Sequence, residues 1–217
     1  MKKTIFLLLL LALTLACATA SASIDIVGKE VVYSYSFDGS YPGVYFFADV
    51  VNNGVADVSL SSDSSFTIHD EDGQVLDEEY IRMVPVTLAP GESGVVFAKL
   101  MSSLPNSSYI KSYQYSLEAS YPWDYTPLPA THMKDSNDVY VRLTNDGPDT
   151  LWDAYAFLIA RDEKGSPVYV DVTIAYRVGI PAGEALEYPM FLTHDLERFL
   201  TDNGLAPVDF TVGGYIY

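Results

Sequence analysis

The sequence predicts an all-β protein assembled from two copies of one sandwich, and three observations predict it. Turn signals recur in a fixed register. Asn52-Asn53-Gly54 returns as Asn145-Asp146-Gly147, Asp70-Glu71-Asp72-Gly73 as Asp162-Glu163-Lys164-Gly165, and Leu88-Ala89-Pro90-Gly91-Glu92 as Ile180-Pro181-Ala182-Gly183-Glu184. The offset stays at 92 or 93 residues, and a spacing held across three separate turns marks an internal duplication. The segments between the turns alternate apolar and polar residues with period two, the mark of a half-buried strand. Finally, the 217-residue chain carries 17 tyrosines, and tyrosine suits a pleated, half-buried surface.

The N-terminus reads as an export signal over residues 1–22. Lys2 and Lys3 form a basic start, and Ile5 to Ala16 form an uncharged apolar run that is too short to span a bilayer as a helix. Ala18-Thr19-Ala20 and Ala20-Ser21-Ala22 both fit the small-x-small cleavage rule. The single cysteine, Cys17, ends the apolar run, and Leu13-Thr14-Leu15-Ala16-Cys17 resembles a bacterial lipobox with Thr14 where leucine is usual. Cleavage with release and lipidation of Cys17 both stay open. Either way the folded part contains no cysteine, so neither disulfides nor thiol chemistry contribute to it.

Two repeats follow, 24–121 and 122–217. In the first, Phe46, Ala48 and Val50 point one way and Phe47 and Asp49 the other; in the second, Val139, Val141 and Leu143 oppose Tyr140 and Arg142. The Pro-Gly-Glu signal turns the chain into a strand over Val95 to Leu100. The last strand carries Tyr113, Tyr115, Leu117 and Ala119 in copy one and Val208, Phe210 and Val212 in copy two. Asn-Gly and Asp-Gly pairs supply residues that tolerate positive φ in the tight turns between strands. A short helix is expected in the second repeat, capped by Thr193, striped by Leu196, Phe199 and Leu200, and stopped by Gly204. A weaker counterpart, Met101 to Tyr109, is interrupted by Pro105. Three prolines stiffen the linker between the copies, Tyr121 to Pro129.

Charge narrows the function. There are 12 basic residues against 29 acidic ones, a net charge of −17, and loss of Lys2 and Lys3 with the leader deepens it. Phosphate binding needs a basic surface, so nucleic acid is excluded as a partner, and anionic headgroups are disfavoured. The membrane enters only through a lipid on Cys17. Asp70, Asp72, Gly73, Asp77, Glu78 and Glu79 resemble a cluster of calcium ligands. Yet Ile68 stands where the helix-loop-helix motif needs an acid, and Lys164 replaces Asp72 in the second copy, so a hairpin turn is the expected reading. His69, His132 and His194 show no zinc spacing. No nucleophile elbow and no phosphate-binding glycine loop occur, and no cofactor is expected. Tyr121, Trp123 and Tyr125 in the linker are the expected binding residues, since Trp and Tyr anchor most hot spots; the competing reading is that they pack the domains together. Trp152 is expected in the core.

Repeats of about 95 residues suit an immunoglobulin-like sandwich, giving a fold class of two tandem immunoglobulin-like domains with a short helix in the second. The chain resembles the secreted Ig-like modules of Gram-positive and related bacteria. Phe66-Thr67-Ile68-His69-Asp70 is a near form of the motif that names the FxLYD domain, with Ile for Leu and His for Tyr. In the second copy, Ala156 to Asp162 runs one residue out of step. The telokin-like domains of bacterial lipoproteins are similar to copy one. This resemblance implies an extracellular β-sandwich without a defined activity. The expectation is therefore a non-enzymatic binding or structural module of the cell envelope or extracellular space, with a protein or glycan partner at the cell surface. The alternative is a surface lipoprotein that captures calcium or a small ligand.

Overall fold

The computed structural model describes residues 23–27, 30–37, 41–101, 110–135, 138–175, 177–190, 200–201 and 203–217. The first half contains β1 (Ile24–Ile26), β2 (Val31–Phe37), β3 (Tyr41–Asn52), β4 (Val58–Leu60), β5 (Ser65–His69), β6 (Val75–Tyr80), β7 (Arg82–Val84), β8 (Thr87–Leu88), β9 (Ser93–Met101), β10 (Ser112–Ser116) and β11 (Ala119–Ser120). The second contains β12 (Thr126–Leu128), β13 (Ala130–Asp135), β14 (Asp138–Thr144), β15 (Leu151–Trp152), β16 (Tyr155–Arg161), β17 (Pro167–Ile174), β18 (Gly179–Ile180), β19 (Ala185–Met190) and β20 (Asp209–Ile216). The pairings among these strands are antiparallel, so the protein is all-β.

The halves repeat each other strand by strand. The trio β2–β3–β9 corresponds to β13–β14–β19, β10–β5–β6 to β20–β16–β17, and β4–β8 to β15–β18. Among the described residues the first half adds β1 beside β3 and β7 outside β9, and the second adds β12 beside β20. Its last strand also breaks after Ser116: β10 pairs with β5, and β11 crosses to pair with β4. In the second half β20 runs unbroken beside β16. The sequence alternation over Tyr113 to Ala119 therefore spans two short strands in two sheets. In the first half, Val44, Phe46, Ala48 and Val50 of β3 and Val96, Ala98 and Leu100 of β9 pack on Phe66, Ile68, Val58 and Leu88 of the facing sheets.

The duplicated turns are matched at the level of hydrogen bonds. The buried Asn52 amide donates to Ala56 O and Leu88 O, both at 2.8 Å, and its Oδ1 accepts from Gly54 N at 2.8 Å. Asn145 donates to Asp149 O and Ile180 O at 2.8 Å and accepts from Gly147 N at 2.9 Å. Gly91 N donates to Asn52 O, and Gly183 N to Asn145 O, each at 2.8 Å. One asparagine per repeat thus ties the end of a core strand to two loops. Gly54 and Gly147 are not in the left-handed region, whereas Gly73 and Gly165 are, at φ 76° and 78°. The positive-φ reading holds for the Asp-x-x-Gly turns and fails for the Asn-Gly ones, where the buried asparagine side chain shapes the turn instead.

The strand alternation needs a second correction. The second half has the expected half-buried strand: Val139, Val141 and Leu143 are buried and Arg142 is exposed. In β3 both faces are buried. Tyr45 and Phe47, with Val95 and Phe97 of β9, join a cluster that contains Phe157, Ile159, Tyr169 and Val170 of the second half. The halves share this apolar layer because the outer face of the β3–β9 sheet is covered by the second repeat. Asp49, on that same outer face, meets Arg161 across the junction in a two-pronged ion pair at 2.7 and 3.2 Å. The Lys99 ammonium sits 5.1 Å from the Tyr45 ring centre and 5.4 Å from that of Tyr169. Burial lowers its pKa, opposed by the charge of Asp171.

Of the expected helix, only Leu200 and Thr201 fall in a described helical stretch; Thr193, Leu196 and Phe199 lie outside the described residues, as do residues 102–109 of its counterpart. The stop is as read. Gly204, at φ 63°, donates to Thr201 O, and Leu205 N reaches back to Leu200 O at 2.7 Å, the paired bonds of a glycine C-cap.

Candidate functional site

A cleft of about 360 Å³ opens where the two halves meet. One wall comes from the first half: Leu60 to Ser62 after β4, and Tyr80 to Met83 where β6 gives way to β7. The other comes from the linker and the second half: Trp123, Tyr155 and Val172, and Tyr215 and Tyr217 at the end of the chain.

The aromatic wall is built by strand register. Tyr155 and Tyr215 are direct cross-strand partners in β16 and β20, and their rings stack at 5.0 Å and 5°. Two residues on, Tyr217 falls on the same face and meets both rings edge-on at 5.3 and 5.5 Å. Trp123 then packs on Tyr217 at 5.7 Å. Gly214, just before Tyr215, sits where a Cβ would lie 2.3 Å from the Leu143 side chain and force it to shift. Its absence lets β20 sit close on the core and fixes the height of the tyrosines that follow. Burial, before all else, pushes the Tyr215 hydroxyl well above the usual tyrosine range, and the neighbouring Tyr217 raises it further.

The linker is positioned through its backbone. Trp123 N donates to Ser59 Oγ at 2.9 Å, Thr87 Oγ1 donates to Trp123 O at 3.3 Å, and the two buried hydroxyls lie 2.7 Å apart. Trp123 is therefore held to β4 and β8 of the first half while its ring reaches a tyrosine of the second. The indole is 49% exposed, and Tyr80 and Tyr217 are exposed beside it.

The three linker aromatics have separate fates. Trp123 lines the cleft. Tyr125 lies behind it, half-buried and edge-on to Tyr215 at 6.0 Å, with burial raising its pKa. Tyr121 is 91% exposed and is not part of the cleft wall. Trp152 is no core residue: it is 60% exposed on β15, where its ring covers Gly179. Cys17 lies outside the described residues, as does His194. The sequence reading missed Tyr80, Arg82, Tyr155, Tyr215 and Tyr217. The available signal was the Tyr215-Ile216-Tyr217 alternation directly after two glycines.

Asp70 is engaged by its own turn. Its Oδ1 accepts from Asp72 N at 3.0 Å and Gln74 N at 2.8 Å, and Asp162 Oδ1 accepts from Lys164 N and Ser166 N at 2.9 Å. Among the described residues no three His, Cys, Asp or Glu side chains are grouped as metal ligands would be. His69 is buried with no hydrogen bond to Nδ1, and the exposed His132 lies beside the Phe210 ring. No family model and no curated protein matches this chain.

Proposed function

We propose that the protein is an exported, non-enzymatic binding module made of two Ig-like sandwiches, with the cleft at their junction as its binding site. The observation that carries this reading is the aromatic wall. Trp123, Tyr80 and Tyr217 stay exposed around a concave surface that the two halves and the linker build together. A cleft of this volume lies within the range of small-molecule sites, which are mostly apolar with a few convergent polar groups. Export rests on the leader-like N-terminus, and attachment to the envelope on the lipobox-like surroundings of Cys17. The cleft supports the ligand half of the alternative reading, while the use of Asp70 Oδ1 by two backbone amides of its own turn favours the hairpin over the calcium half.

The test is saturation-transfer NMR of the mature protein against a mixed panel of aromatic and carbohydrate fragments. Binding that disappears in Tyr217→Ala and survives in Trp152→Phe supports the cleft. Binding equal in both variants, or none at all, contradicts it.

A further inference from the structure

The cleft walls have a charge pattern opposite to that of the molecule. The chain carries 29 acidic residues against 12 basic ones, yet among the described residues no Asp, Glu, Asn or Gln lines this cleft, and the one charged residue that does is Arg82. Arg82 is exposed, lies 5.8 Å over the Phe97 ring, and among the described residues has no carboxylate within ion-pair distance. Asp63, Glu78 and Glu79 line a neighbouring depression that shares Ser62 and Tyr80 with the cleft.

This pattern selects among ligand classes. A neutral sugar is usually held by amide and carboxylate side chains that bridge neighbouring hydroxyls, and among the described lining residues the uncharged polar side chains are only the hydroxyls of Ser61, Ser62 and the tyrosines. An organic cation suits an aromatic wall but is repelled by Arg82. A flat apolar body with one carboxylate satisfies both features: its face lies on one of the Trp123 and Tyr217 rings and its edge meets the other, which is tilted by 52°, and its carboxylate takes the planar guanidinium, which is shaped for two parallel hydrogen bonds.

On the reading that the cleft is the binding site, we propose that its ligand is a small aromatic carboxylate, held by ring contact with Trp123 and Tyr217 and by Arg82 through its carboxylate. The volume of about 360 Å³ suits one such molecule rather than a polymer.

The probes are phenylpropanoate, phenylpropanol and phenylpropylamine, three molecules of one shape with negative, neutral and positive ends. Each is titrated into the mature protein carrying Trp152→Phe, so that Trp123 is the only indole and its fluorescence reports the cleft. The acid is expected to bind at least about tenfold more tightly than the alcohol, the usual effect of a charge-assisted hydrogen bond, and the amine more weakly than either. Arg82→Gln should bring acid and alcohol together with unchanged melting, and Arg82→Lys should keep part of the preference. Equal binding of acid and alcohol, or preference for the amine, overturns the ligand class and leaves the cleft standing. A cleft that binds none of the three overturns both.

Discussion

At the residue scale, the two buried asparagines are the points on which each repeat depends. Asn52 and Asn145 each satisfy two backbone carbonyls and one backbone amide, and truncation leaves those groups buried without partners. Asn52→Ala and Asn145→Ala should each cost about 2–3 kcal/mol, read from urea denaturation midpoints, because unpaired buried polar groups are expensive. Tyrosine ionisation sets an alkaline limit. Burial, helped by the charge of Asp153, pushes the Tyr188 hydroxyl from 10.0 up to about 12, and it donates to Ala154 O at 3.1 Å. A raised folded-state pKa gives stability that is complete below the unfolded value and lost as pH rises through the folded one. Denaturant melts should therefore weaken as pH climbs from 10.0 towards about 12, and Tyr188→Phe should flatten part of that slope. The asparagine, aspartate and Pro-Gly-Glu turns were legible as a repeat because turn chemistry is local. That the asparagines are buried was not, because burial depends on loops 35 or 36 residues away in sequence.

At the element scale, the junction is made by β3 and β9 against the second repeat. The period-two reading worked for β14, where Tyr140 and Arg142 interrupt the apolar side. It undercounted burial in β3, where Val44 to Ala48 is an unbroken apolar run. Such runs mean burial on both faces, and the run Ala156 to Ala160 in β16 is a second case, buried throughout. The sequence thus carried the signal for a covered outer face without naming what covers it. The Asp49–Arg161 pair lies at the edge of this layer, with its side chains 30% and 22% exposed. A double-mutant cycle with Asp49→Ala and Arg161→Ala should give a coupling of about 1–2 kcal/mol, since the contact is bidentate and partly shielded from water. A coupling near zero would place these side chains apart. Phe47→Ala, fully buried in the layer, should cost about 3–5 kcal/mol, although its side chain faces away from the first-half core.

At the scale of the whole molecule, duplication does more than double a domain. The two copies differ where they meet. β7, which has no counterpart among the described residues of the second half, supplies Arg82 and Met83 to the cleft, and the unbroken β20 of the second carries Tyr215, with Tyr217 just after it, into the cleft. The aromatic linker was legible as a sticky segment. Its role was not, because Trp123 becomes a wall only when the hydroxyls of Ser59 and Thr87 hold its backbone and Tyr217 arrives from the other end of the chain. The cleft thus depends on the halves being joined through one apolar layer.

Denaturant unfolding of the intact protein, followed at once by far-ultraviolet circular dichroism and by Trp123 fluorescence in a Trp152→Phe background, tests that dependence most directly. A shared layer predicts one transition, with coincident midpoints for the strands of both halves and for the indole at the junction. Loss of the Trp123 signal ahead of the strands, or two separated strand transitions, would contradict it and leave the cleft without a fixed shape.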